Sequence, residues 1–245
     1  MPPSRTQNIS AGQELRTSVG LYASGLGLLQ SLDDGVSDFF HLPLLALQQG
    51  LERWVKISLC FRYLEQYGEF PAKSHFPPGK EGHNIQPLLD RLVSSAYTPD
   101  FESDCPCVKK DRVFLKSKHF RAYVIALSVF GVSSRYFRLN TVLGAGIDFK
   151  PPEQAWQELE GRVLDYNPKL RKAFEASDGG QESVLQLLDE SRGMLVRCGR
   201  ALARLLAWGA LGGKAKEYTG CVSKFLQLSD EELVTAKFEL FQKDF

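Results

Sequence analysis

An all-α fold is predicted by three observations. Apolar residues recur at three- and four-residue steps over long windows, no stretch alternates apolar and polar residues as a half-buried strand does, and the helical windows are separated by Gly-, Pro- and Asn-containing breaks. With 245 residues, 43% of them hydrophobic, the chain can build one large core or two small ones.

The first twelve residues are polar and are expected to fray. From Gln13 to Leu32, Leu15, Val19, Tyr22, Leu26 and Leu29 keep helical spacing although Gly20, Gly25 and Gly27 interrupt it. Each such glycine costs about 1 kcal/mol against alanine, so their small size is expected to bring a neighbouring backbone close. A phosphate-cradling loop is the other reading of these glycines, but no strand precedes them and no Gly-Lys-Ser/Thr follows. Asp33-Asp34-Gly35 reads as a turn, and Ser37 or Asp38 can cap the next helix.

That next helix, Leu42 to Tyr67, organises the chain. Leu44, Leu47, Leu51, Trp54, Phe61 and Leu64 form its main stripe, and Leu45, Val55, Leu59 and Tyr63 widen it past a single surface face. Gln48, Gln49, Glu52 and Lys56 make the opposing polar line, with Glu52 placed to pair with Lys56. This line reads either as a half-solvated face or as part of a site. The helix stops at Gly68, a Pro/Gly-rich connection follows, and a short helix opens near Asn84 with Pro87 in its first turn. His83 stands at the mouth of this helix, where it can pack the helix start or serve a site.

A further long helix is predicted from Ser117 to about Leu143, with Arg135 and Arg138 towards its C-terminal end. The break from Leu143 to Pro152 marks the best internal boundary. Beyond it, helices are predicted over Glu153 to Tyr166, through Leu170 and Phe174, over Gln181 to about Leu211, and from Ser229, where Ser229 and Glu232 spell a capping box. Arg197, Arg200 and Arg204 form a basic line on the long one, read as a solvated face with an anionic or acidic partner as the alternative.

Several function classes leave no trace. No apolar run reaches the roughly 18 residues of a membrane span, and the N-terminal residues lack the pattern of a secretory signal, so no membrane association and a cytoplasmic location are expected. Five cysteines argue against a disulfide framework, and Cys105-Pro106-Cys107 lacks a second ligand pair for zinc. No nucleophile elbow, zinc-protease motif or dinucleotide fingerprint is present, and no metal or cofactor is expected. A formal net charge of +1 gives no global nucleic-acid footprint, so any such binding must come from a local patch.

One patch stands out. Lys109, Lys110, Arg112, Lys116, Lys118 and Arg121 are opposed within their own run only by Asp111, and Phe114, His119 and Phe120 lie among them. Cations interleaved with rings suit a phosphate backbone and stacked bases, while a solvated loop and helix start is the plainer reading.

The long helix carrying Gly50-Leu51-Glu52 and Lys56, followed after a loop by Gly82-His83-Asn84-Ile85 and Leu88-Leu89, resembles the HEPN superfamily of helical bundles. The resemblance implies a HEPN-like bundle over 13–145, with 153–245 as a helical C-terminal extension that packs on it or stands apart. It also implies a homodimer, and a role in stress or phage defence. Two functions follow. The first is a non-enzymatic module binding RNA, a nucleotide or a protein partner through Lys109, Lys110, Lys116, Lys118 and Arg121. The alternative is a metal-independent endoribonuclease, in which Arg112 and His119, spaced as the family's Arg-x(4-6)-His motif, would hold phosphate and transfer protons. Glu52, Lys56 and His83 are candidates for a structural or site role.

Overall fold

The structure, a computed structural model, describes residues 2–31, 41–132, 137–144 and 151–238. Every regular element among these is helical. The Asp33-Asp34-Gly35 turn, the Ser37 or Asp38 cap, Arg135 and most of the expected boundary at 143–152 lie outside or largely outside the described residues.

Helix α1 runs Arg5–Gln30, well ahead of the Gln13 start expected from the apolar stripe. The reason is a capping box: Ser4 Oγ accepts from the Gln7 amide at 3.2 Å, and Gln7 Oε1 accepts from the Ser4 amide at 2.8 Å. The first two turns are therefore anchored without burying much apolar surface. Helix α2, His41–Tyr67, lies antiparallel on α1. A Cβ on Gly25 would stand 2.8 Å from the Leu47 backbone nitrogen, and one on Gly50 would stand 2.7 Å from the Tyr22 Cα. These two glycines let the helices touch backbone to backbone, which compensates for their low helix propensity.

After Gly68, with φ of 74°, come two short 3₁₀ turns, Lys73–His75 and Gly79–His83. Helix α3, Ile85–Ala96, is capped by Asn84, whose Oδ1 accepts from the Gln86 amide at 3.1 Å. Helices α4, Pro99–Asp104, and α5, Pro106–Lys116, each open on a proline, and α6, Lys118–Val132, begins after a break at Ser117. Ser117 Oγ accepts from the Phe120 amide at 3.2 Å, so this serine starts α6 rather than continuing α5. Helix α7 covers Phe137–Val142.

Helices α8, Pro152–Tyr166, and α9, Pro168–Ala176, meet at Asn167, and α10 extends Gln181–Ala207. Helix α10 lies against α1 and α5, and α8 against α6. Residues from 13–145 and 153–245 thus share one hydrophobic core. Tyr22 donates to the Leu195 carbonyl at 2.8 Å, and Tyr123 to Ser191 Oγ at 3.2 Å, both buried. Two short helices, α11, Gly213–Lys216, and α12, Ser223–Leu226, return Phe225 to the fully buried Trp54, with ring centroids 5.5 Å apart.

The end of the chain differs from expectation. The Ser229 amide does donate to Glu232 Oε2 at 2.8 Å, as the capping box requires, but turns rather than a helix follow. The segment is held from outside instead. Arg200 donates to the Leu228 carbonyl at 3.0 Å and pairs with Asp230, while Arg192 donates to the carbonyls of Ala236, at 3.1 Å, and Val234. Backbone carbonyls served by guanidinium groups are satisfied without a helical ladder.

Candidate functional site

Glu52 lies at the centre of a buried polar cluster. Its carboxylate accepts from Gln48 Nε2 at 2.6 Å and from Lys56 Nζ at 2.6 Å, and His83 Nδ1 stands 3.0 Å from it. Gln48 is fully buried and in turn accepts from Gln49 Nε2 at 3.0 Å. The polar line of α2 is therefore solvated only at its outer end, and the half-solvated face expected from spacing is corrected at Gln48 and Glu52. Helix α6 makes room by presenting Gly131, where a Cβ would stand 2.6 Å from Gln48 Cδ. His83 turns to Glu52 and leaves the capping of α3 to Asn84. With every carboxylate oxygen supplied, the cluster ties the Gly79–His83 turn to α2.

The basic run divides into groups with different commitments. Asp111, its only acid, is buried and faces inward, where Arg204 Nη1 donates to its two oxygens at 3.1 and 2.9 Å. Burial pushes the Asp111 carboxyl above its usual range, and Arg204 pulls part of the way back. Arg112 donates to Glu102 Oε1 at 2.8 Å, and Arg121 pairs with Asp90 on α3. Among the described residues, the exposed Lys109, Lys110, Lys116 and Lys118 have no ion-pair partner. Turning Asp111 inward leaves the outer face of α5 with positive charge that nothing in its own run offsets.

Lys109 and Lys110 border an open groove of about 620 Å³ between α5, the start of α6 and α10. Phe114, His119, Met194 and Arg197 also line it, as does Val113, 65% exposed. The Arg197 guanidinium stacks over the Phe114 ring at 4.3 Å, and its Nε is buried without a hydrogen-bond partner. Burial pushes Arg197 below its ordinary value, yet a guanidinium keeps its charge in a protein. His119 packs between Tyr166 and Tyr123, with ring centroids 5.0 and 6.0 Å away, and its Nε2 is buried and unpartnered. Burial depresses the His119 pKa, so at neutral pH the ring offers a face and a neutral nitrogen rather than a charge.

The groove takes in His119 and leaves out Arg112, whose guanidinium is directed to Glu102 on α4. Arg197 and Met194, by contrast, are groove residues that the run itself could not announce. The signal for Arg197 was the basic line on α10. That line is not a solvated face: Arg200 is 2% exposed and pairs with Asp230, Arg204 pairs with Asp111, and Arg197 has no carboxylate partner among the described residues.

The five cysteines are free, and no group of three or more potential metal ligands occurs among the described residues. No helix among them is long and apolar enough to cross a membrane. No family model, curated protein or solved structure matches the chain.

Proposed function

We propose that this protein is a non-enzymatic binding module that takes single-stranded RNA, or a nucleotide, in the groove between α5 and α10. The observation that carries this reading is the pairing pattern. The one acid of the basic run is turned inward, and among the described residues the lysines bordering the groove have no ion-pair partner and the Arg197 guanidinium over Phe114 keeps a buried Nε with no acceptor. A guanidinium stacked on the buried Phe114 ring, beside the half-buried His119 and apolar side chains, matches a ligand that is anionic along one edge and flat along the other. The HEPN resemblance and a homodimer belong to the same proposal.

Titration of a fluorescein-labelled single-stranded RNA, read by anisotropy, tests it. Wild type binds, and Arg197→Gln weakens binding at least about tenfold, roughly 1.4 kcal/mol, while the unfolding midpoint hardly moves. The labelled RNA remains intact in EDTA over the same period. Equal affinity of the two proteins would overturn the assignment to the groove. Cleavage abolished by both Arg112→Ala and His119→Ala would favour the ribonuclease reading instead.

A further inference from the structure

A second concentration of unopposed positive charge lies away from the groove, between α2 and α3. A pocket of about 140 Å³ is lined by Arg62, Tyr63, Gln66 and Tyr67 of α2, His75 of the connection, and Arg91 of α3, and no acidic residue lines it. Arg62 Nε donates to the Ser95 carbonyl at 3.0 Å, and neither of its Nη groups has a hydrogen-bond partner among the described residues. Arg91 donates from Nη1 to the His75 carbonyl at 3.1 Å and from Nη2 to His75 Nε2. Because a guanidinium only donates, His75 Nε2 must accept, and the ring is neutral. Burial and the Arg91 charge both depress the His75 pKa in the same sense. His75 therefore takes two Arg91 donors, one on its backbone carbonyl and one on its neutral ring, without cancelling any of the charge.

Two guanidinium groups consequently line one small pocket that has no carboxylate in its lining among the described residues. Tyr63 and Tyr67 stack with centroids 4.3 Å apart, and Tyr63 meets the His75 ring edge-on at 4.8 Å. The pocket is smaller than the roughly 300 Å³ at which sites for whole drug-sized ligands begin, so it suits a head group. We infer that Arg62 and Arg91 form a site for a single phosphate group, carried on a small phosphomonoester or present as the free ion. The free Nη donors of Arg62 would grip its oxygens, Arg91 would complete the charge, and the tyrosine pair would flank whatever the phosphate is attached to.

The test follows the side-chain NMR signals of Arg62, Tyr63 and Tyr67 while inorganic phosphate or phenyl phosphate is added. A saturable shift at about millimolar concentration is expected. Equal affinity for the two ligands would make the head group the whole ligand, and tighter binding of phenyl phosphate would assign the ester; both support the site. Arg62→Gln should weaken binding at least tenfold. So should Gln66→Glu, which places a negative charge at an exposed position of the pocket and cannot act by unfolding the core. The Lys109→Gln/Lys110→Gln double variant should leave these shifts unchanged, which separates this site from the groove. Absence of a saturable shift, or a shift indifferent to Gln66→Glu, would overturn the inference.

Discussion

The basic faces of α10 and α5 look alike as strings of letters and behave differently as structure. On α10, Arg192 and Arg200 are buried and are spent on the carbonyls and Asp230 of the chain's last described segment, and Arg204 is spent on Asp111. On α5, Lys109, Lys110 and Lys116 are exposed, with no ion-pair partner among the described residues. Guanidinium groups suit the first task because a planar fork can serve several acceptors at once, whereas lysines remain hydrated point charges. What distinguishes a structural cation from one left available to a ligand is the acceptor facing it, and Arg197 is the member of the α10 line that faces the groove instead.

The largest expected effect probes the structural side. Arg200→Ala removes two donors from the Leu228 carbonyl and Asp230, and should cost about 2–3 kcal/mol in a denaturant titration. Lys110→Ala should stay within about 0.5 kcal/mol of wild type in the same experiment, as an exposed, unpaired residue does. Equal costs would erase the distinction.

Glu160 supplies the inverse case, a half-buried carboxylate that receives the Trp156 indole N–H at 2.8 Å and has no cation paired with it among the described residues. Burial pushes its pKa up to about 6. The folded state thus holds this proton more tightly than the unfolded state. Ionisation costs stability as pH rises from the ordinary carboxyl range through about 6, and the cost is complete above it. Glu160→Gln should therefore stabilise the protein at pH 8 by up to about 2 kcal/mol and leave it unchanged near pH 4, as measured by unfolding at both values. A gain of the same size at both pH values would mean that the charge is not the cause.

Much of the bundle was legible in the sequence because burial and periodicity are local properties. The stripe from Leu44 to Leu64, the stop at Gly68 and the start of α3 at Asn84 all follow from spacing and capping chemistry. The close approach at Gly25 was readable from its conflict with helix propensity. The start of α1 was missed because its signal, Ser4 with Gln7, precedes the apolar stripe rather than lying in it. The start of α6 at Ser117 was readable, whereas α5, Pro106–Lys116, falls where the sequence reads as a solvated loop ahead of that helix.

The candidate site was half legible for a related reason. Lys109, Lys110 and His119 are neighbours in the chain, but the wall that Arg197 and Met194 contribute arrives on α10 through tertiary packing. The pairing of Asp111 with Arg204, and of Arg112 with Glu102, is equally invisible to spacing. These pairings separate the committed cations from those with no ion-pair partner among the described residues.

The most direct measurement is the salt dependence of single-stranded RNA binding by wild type beside the Lys109→Gln/Lys110→Gln double variant. Each lysine that neutralises a phosphate contributes about 0.7 to the slope of log affinity against log salt. The double variant should show a slope shallower by about 1.4, with folding unchanged. An unchanged slope in a protein that still binds would contradict the claim that the unpaired face of α5 is the binding surface.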